Sequence, residues 1–133
     1  MTQIATIMEQ LSDNRQSVAS EPIDVNRLNQ TLGAELLDQL PFLLGSLLDE
    51  MPTRLSQIDC AIQGNAWPEA VRMAHGIKGT SRWFAADALE LSALELEEAC
   101  RVRSKNAAVR GMHKVKHEAA RLQDWLDRFL NHS

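Results

Sequence analysis

The sequence has no tyrosine, three tryptophans and three phenylalanines, and it is sparing with glycine and proline. A β-sandwich or barrel wants more aromatic and β-branched residues, so the abundance of leucine and alanine points to helices. Two cysteines, Cys60 and Cys100, are too few for a disulfide framework. Each lies within a helical pattern and reads as a reduced thiol. Positive charge is not in excess either: Lys plus Arg number 14 against 18 Asp plus Glu, a net charge of −4. A nucleic-acid partner usually needs a basic footprint, so protein partners are expected instead. No run approaches the roughly 18 to 20 apolar residues of a membrane span, and residues 1–9 lack the layout of a signal peptide. The expectation is a cytoplasmic protein without membrane contact. No glycine-rich phosphate loop is present, which argues against phosphorylation from ATP. The absence of any Glu-x-x-His argues against a di-metal bundle.

What is present is helical periodicity over a length, 133 residues, that suits one domain with a real core. Ile4, Ile7, Met8 and Leu11 suggest a short helix over Gln3 to Leu11, followed by a polar linker from Ser12 to Pro22. Asp24 is a natural N-cap for a second short helix carrying Val25, Leu28 and Leu32 and stopping near Gly33. A long apolar series then runs from Leu36 to Ile62 and ends at Gly64 and Asn65. Pro41 and Pro52 fall inside it. Each removes a backbone donor and crowds the preceding turn, so this helix is expected to bend or split near one of them. A further helix is predicted from Ala66–Pro68 to about Phe84. The next starts at Asp87, with Glu90 completing a capping box, and reaches Cys100. The last spans about Ala107 to Leu130, with Met112, Val115, Ala119, Leu122, Leu126 and Phe129 in one stripe. The fold class that follows is all-α: an antiparallel four-helix bundle over residues 23–133, preceded by one or two short helices.

Chemistry concentrates on the helix around His75. Trp67, Ala70, Ala74, Ile77, Ser81 and Ala85 form its core stripe, and His75 lies roughly 110° away from the centre of that stripe. Gly79 follows at i+4. A glycine inside a helix costs up to about 1 kcal/mol relative to alanine, so local stability does not explain it, whereas clear space beside the imidazole does. Arg72, Lys78 and Arg82 make the surrounding edge basic. Trp83, on a side not clearly core, is a candidate anchor for a protein partner, alongside Arg72. The i, i+4 pair His113 and His117 has zinc-binding spacing but no third ligand, and reads as a solvated face; no metal site is expected.

The segment His75-Gly76-Ile77-Lys78-Gly79-Thr80-Ser81 resembles the His-x-aliphatic-Lys-Gly-small-small signature of histidine phosphotransfer (HPt) domains. The resemblance continues in Leu89, fourteen positions after the histidine, and in Leu96-Glu97, at twenty-one and twenty-two. Outside these residues it is one of helix pattern, from about Asp24 to the C-terminus. It implies that His75 is the phosphoacceptor, that Lys78 stabilises the phosphoryl group with Arg82 as a second cation, and that Gly79 leaves room for the partner. Glu97 matches the place from which the family orients the histidine ring. A carboxylate accepting from Nδ1–H leaves Nε2 free as nucleophile. The implied partners are response-regulator receiver domains, which would bring the Mg²⁺, and the sensor kinase from which such a module could derive; no cofactor of its own is expected. Two departures stand out. Arg82 replaces a usually small residue. Ala85 replaces the glycine usual ten positions after the histidine, so the helix break there is expected to shift toward Asp87 or to become less sharp. A helical adaptor that is never phosphorylated is the competing class.

Overall fold

The computed structural model describes residues 21–131, and among these the only regular structure is helical. The short helix expected over Gln3 to Leu11, most of the linker after it, and His132 lie outside the described residues. Five helices follow one another: α1 (Val25–Thr31), α2 (Ala34–Gln63), α3 (Trp67–Trp83), α4 (Asp87–Arg101) and α5 (Lys105–Asn131). The four longer helices pack cyclically, α2 on α3, α3 on α4, α4 on α5 and α5 on α2. The predicted four-helix bundle is the observed one.

Each apolar stripe becomes a buried face. Leu40, Leu44, Ile58 and Ile62 of α2, Ala74 and Ile77 of α3, Leu89 and Leu96 of α4, and Val115 and Leu122 of α5 meet in one core. Near the end of α5, Trp125 and Phe129 stack with ring centroids 5.2 Å apart. Close approach of α4 and α5 depends on Gly111, where an added Cβ would stand 3.0 Å from the Leu96 Cα. Cys60 is exposed and Cys100 buried, both as free thiols. Burial pushes the Cys100 thiol above its ordinary pKa.

Pro41 and Pro52 do not divide α2, which runs unbroken through both. An interior proline costs about 3 kcal/mol in an isolated helix. Here ten buried residues pin the helix to the bundle on either side of the two sites, and this packing outweighs the lost hydrogen bonds.

The three hairpin turns between the long helices share one geometry. Asn65, Ala85 and Arg103 take φ values of 59°, 54° and 57°, the left-handed region. Around each, the two hydrogen bonds of a Schellman motif close the preceding helix, as in Ala86 N–H to Ser81 O (2.9 Å) and Ala85 N–H to Arg82 O (3.0 Å). The expected shift of the break away from Ala85 therefore does not occur: alanine occupies the glycine conformation itself. The turn is held from outside as well, because Asp24 N–H donates to Ala85 O at 2.9 Å and ties the start of α1 to it. Asp24 caps α1 as expected, accepting from Arg27 N–H at 3.0 Å.

The expected capping box at Asp87 is not formed. The tight turn places Ala86 at the N-cap, with Asp87 as the first helical residue. Its carboxylate instead receives both arms of the Arg27 guanidinium, at 2.6 and 3.2 Å, while Glu90 accepts from Arg82. Helix α5 starts two residues before Ala107 because Ser104 caps it, accepting from Ala107 N–H at 3.2 Å.

Left-handed backbone at a residue with a Cβ costs roughly 1–2 kcal/mol. Arg103 is exposed, so Arg103→Gly is expected to stabilise the fold by roughly 0.5–1 kcal/mol once the larger unfolded-state entropy of glycine is deducted. Ala85 is buried, and Ala85→Gly forfeits a methyl worth about 0.8 kcal/mol, leaving it near neutral. Urea denaturation of both variants checks this; equal gains at the two turns would contradict it.

Candidate functional site

Antiparallel α3 and α4 bring residues twenty-two positions apart into contact. His75 projects from α3 with 62% of its side chain exposed, whereas Glu97 on α4 is only 2% exposed. The Glu97 carboxylate is met by three donors. Its Oε1 lies 3.3 Å from His75 Nδ1 and 3.0 Å from Lys78 Nζ, and its Oε2 lies 2.5 Å from an Arg101 guanidinium nitrogen. A buried carboxylate is costly unless paired, and this one is paired on both oxygens. With Nδ1 turned toward Glu97, Nε2 is the nitrogen left on the open side of the ring.

Burial alone would raise the Glu97 pKa. The hydrogen bonds from Lys78, Arg101 and His75 overcome it and hold the group down at about 2. Glu97 is therefore charged throughout the physiological range.

Lys78 reaches Glu97 with its stem laid along the bundle, 17% exposed. Gly79 sits one turn beyond His75 on the exposed side, and nothing lies within 4 Å of where its Cβ would be. The space that the sequence suggested beside the imidazole is present. Of the other basic residues, Arg82 donates to Glu90 at 2.7 Å and Arg72 pairs with Glu69 on its own helix. Neither contacts the Glu97 cluster. Trp83, 44% exposed at the end of α3, stands edge-on to Phe84 with centroids 4.9 Å apart.

Thus His75, Lys78 and Glu97 converge, Gly79 borders them, and Arg72, Arg82 and Trp83 mark the surrounding edge. Arg101 was missed by sequence reasoning, which took the run after Cys100 for a helix end. Its signal was the i, i+4 spacing from Glu97, which puts the two on one face. Among the described residues no three of His, Cys, Asp and Glu are grouped to hold a metal, and no helix is long and apolar enough to cross a membrane.

The lowered pKa has a stability consequence of definite sign. A carboxylate at about 2 in the folded protein and 4.5 without these contacts stabilises the fold fully above the higher value, and the contribution disappears as pH falls through the lower. Its size is on the order of 3 kcal/mol. Unfolding free energy measured between pH 5 and 2 should fall by an amount that Glu97→Gln removes; an unchanged acid limb in that variant would contradict the threefold pairing.

A family model described as the Hpt domain matches residues 43–131, well over half of the chain and all four long helices at least in part. No curated protein and no solved structure gives a match. The match contains His75, Lys78, Gly79 and Glu97, the residues that the geometry gathers at one open edge of a four-helix bundle. The chain belongs to the HPt family, whose domains carry phosphoryl groups on histidine in two-component phosphorelays.

Proposed function

We propose that His75 accepts a phosphoryl group from the aspartyl phosphate of a receiver domain and passes it to the aspartate of another. The observation that carries this reading is the position of the imidazole, 62% exposed and with its Nδ1 3.3 Å from a buried carboxylate. In the forward step the Nε2 lone pair attacks phosphorus, the N–P bond forms, the P–O bond to the aspartate breaks, and the aspartate leaves as a carboxylate. Nδ1 keeps its proton. Positive charge then develops on the ring, and the Glu97 carboxylate lies against the nitrogen that bears the proton.

Lys78 has three N–H donors and spends one on Glu97 in the free protein. The remaining two can meet phosphoryl oxygens. Arg101 holds the far oxygen of Glu97 and so fixes the carboxylate plane. Arg82 would have to release Glu90 to reach a phosphoryl group, and we place it with Arg72 and Trp83 at the edge where the receiver docks. The receiver brings the Mg²⁺, the phosphoryl donor and the in-line geometry, and the HPt chain brings the nucleophile. The partner sensor kinase acts through its receiver. Autonomous kinase activity is not part of this reading.

Incubation with a phosphorylated receiver is expected to label the wild-type protein in an acid-labile, alkali-stable manner, with no label on His75→Gln. Label undiminished on that variant would refute the assignment. At Gly79, alanine should stabilise the helix by up to about 1 kcal/mol. A leucine there should slow transfer by about tenfold or more, a barrier increase of about 1.4 kcal/mol, without unfolding the bundle. Thermal melts with transfer kinetics separate the two effects; equal rates for glycine and leucine would remove access as the reason for Gly79.

A further inference from the structure

Helix α3 carries a second interior glycine, Gly76, next to the histidine in sequence. Glycine inside a helix weakens it, and three reasons within a fold account for one: a left-handed backbone, a kink, or the close approach of another element. None applies to Gly76. No described glycine has a positive φ, α3 runs unbroken from Trp67 to Trp83, and nothing lies within 4 Å of where a Gly76 Cβ would stand. Gly111 shows the contrast, because Leu96 takes up the space of its missing Cβ. The bundle therefore gains nothing from Gly76, and the backbone there is open to solvent.

The turn of the helix gives His75 two unlike flanks. Lys78 lies about 60° round α3 from the histidine in one direction, toward Glu97 of α4. Gly79 and Gly76 lie about 40° and 100° round in the other, away from α4, and both are exposed. The first flank is charged and closed by ion pairs. The second is bare backbone, with its polar groups satisfied inside the helix: the Gly76 carbonyl accepts from Thr80 Oγ1 at 3.0 Å in addition to its place in the helical ladder. Met73 and Thr80, one turn to either side of Gly76, border it, and Met73 packs partly against the core. Trp83, 44% exposed, stands two turns from Gly76 on the same side of the helix. An open seat without unpaired polar groups, bordered by a thioether and with an exposed indole beyond, suits an apolar side chain better than a charged one.

We infer that Gly76 is a specificity-determining contact of this chain: a bulky apolar side chain of the docked receiver seats against the α3 backbone there, between Met73 and Thr80, while the phosphoryl group approaches Nε2. The inference rests on the reading of His75 as phosphoacceptor. It puts the partner's apolar contact on the flank away from α4, where it leaves Lys78 and Glu97 undisturbed.

The test uses the full chain and two phosphoryl donors: a phosphorylated receiver domain from which the wild type accepts label, and phosphoramidate, a small donor that needs no docking surface. Gly76→Leu should raise the KM for the receiver about tenfold or more, while labelling by phosphoramidate keeps its wild-type rate and the melting temperature does not fall. Gly76→Ala fills less of the seat and should raise KM by a smaller factor while melting higher than the wild type. Arg110→Leu, at an exposed position on α5, controls for an added surface leucine and should transfer as the wild type does. An unchanged KM in Gly76→Leu, or an equal loss with phosphoramidate, would overturn the inference and leave phosphotransfer through His75 standing. Label that survives His75→Gln with either donor would instead remove the reading on which the inference rests.

Discussion

The arrangement around His75 depends on one buried negative charge. A carboxylate at the α3–α4 contact can persist only if donors reach it, and Glu97 has them on both oxygens. That requirement orders the neighbourhood. It draws Lys78 inward along α3, fixes Arg101 one turn down α4, and turns the imidazole so that one nitrogen faces the protein. An apolar residue at this position would leave three donors without a common acceptor, and the ring without this partner to orient it.

The bundle delivers Glu97 to that position through backbone proximity. Gly111 lets α5 press against α4 at Leu96, the residue before Glu97, so the height of the carboxylate along α4 is fixed by packing on its far side. At the top, Asp24 and Arg27 bind the α3–α4 turn through Ala85 and Asp87. The site therefore rests on helical elements, although the His75 ring is largely in solvent.

Most of this was legible in the sequence. Periodicity located all five described helices, because an amphipathic stripe registers burial directly. The position of His75 off the Ala74–Ile77 stripe disclosed its exposure, and Gly79 its open flank. What periodicity could not convey was the outcome of competition. Pro41 and Pro52 pointed to a bend or a split near one of them, and the split is absent, because local cost is visible in sequence and tertiary restraint is not. Ala85 looked like a displaced turn because the hydrogen bonds that hold it come from Ser81, Arg82 and Asp24. Asp87 looked like half of a capping box because its true partner, Arg27, is sixty positions away. Arg101 was hidden for a related reason: its importance comes from the burial of Glu97, a property of the fold.

One oxygen of Glu97 serves two masters. Oε1 is shared by the His75 ring and the Lys78 ammonium, and the ring holds the longer of the two contacts. In the proposed transfer, a phosphate arriving at Nε2 attracts Lys78, and any share of Oε1 that the lysine gives up passes to the Nδ1 proton. The imidazole is then gripped more tightly when loaded than when empty. On that proposal the pair would work as a seesaw, with the cargo itself as the weight that tips it, and departure of the phosphate would reset the balance.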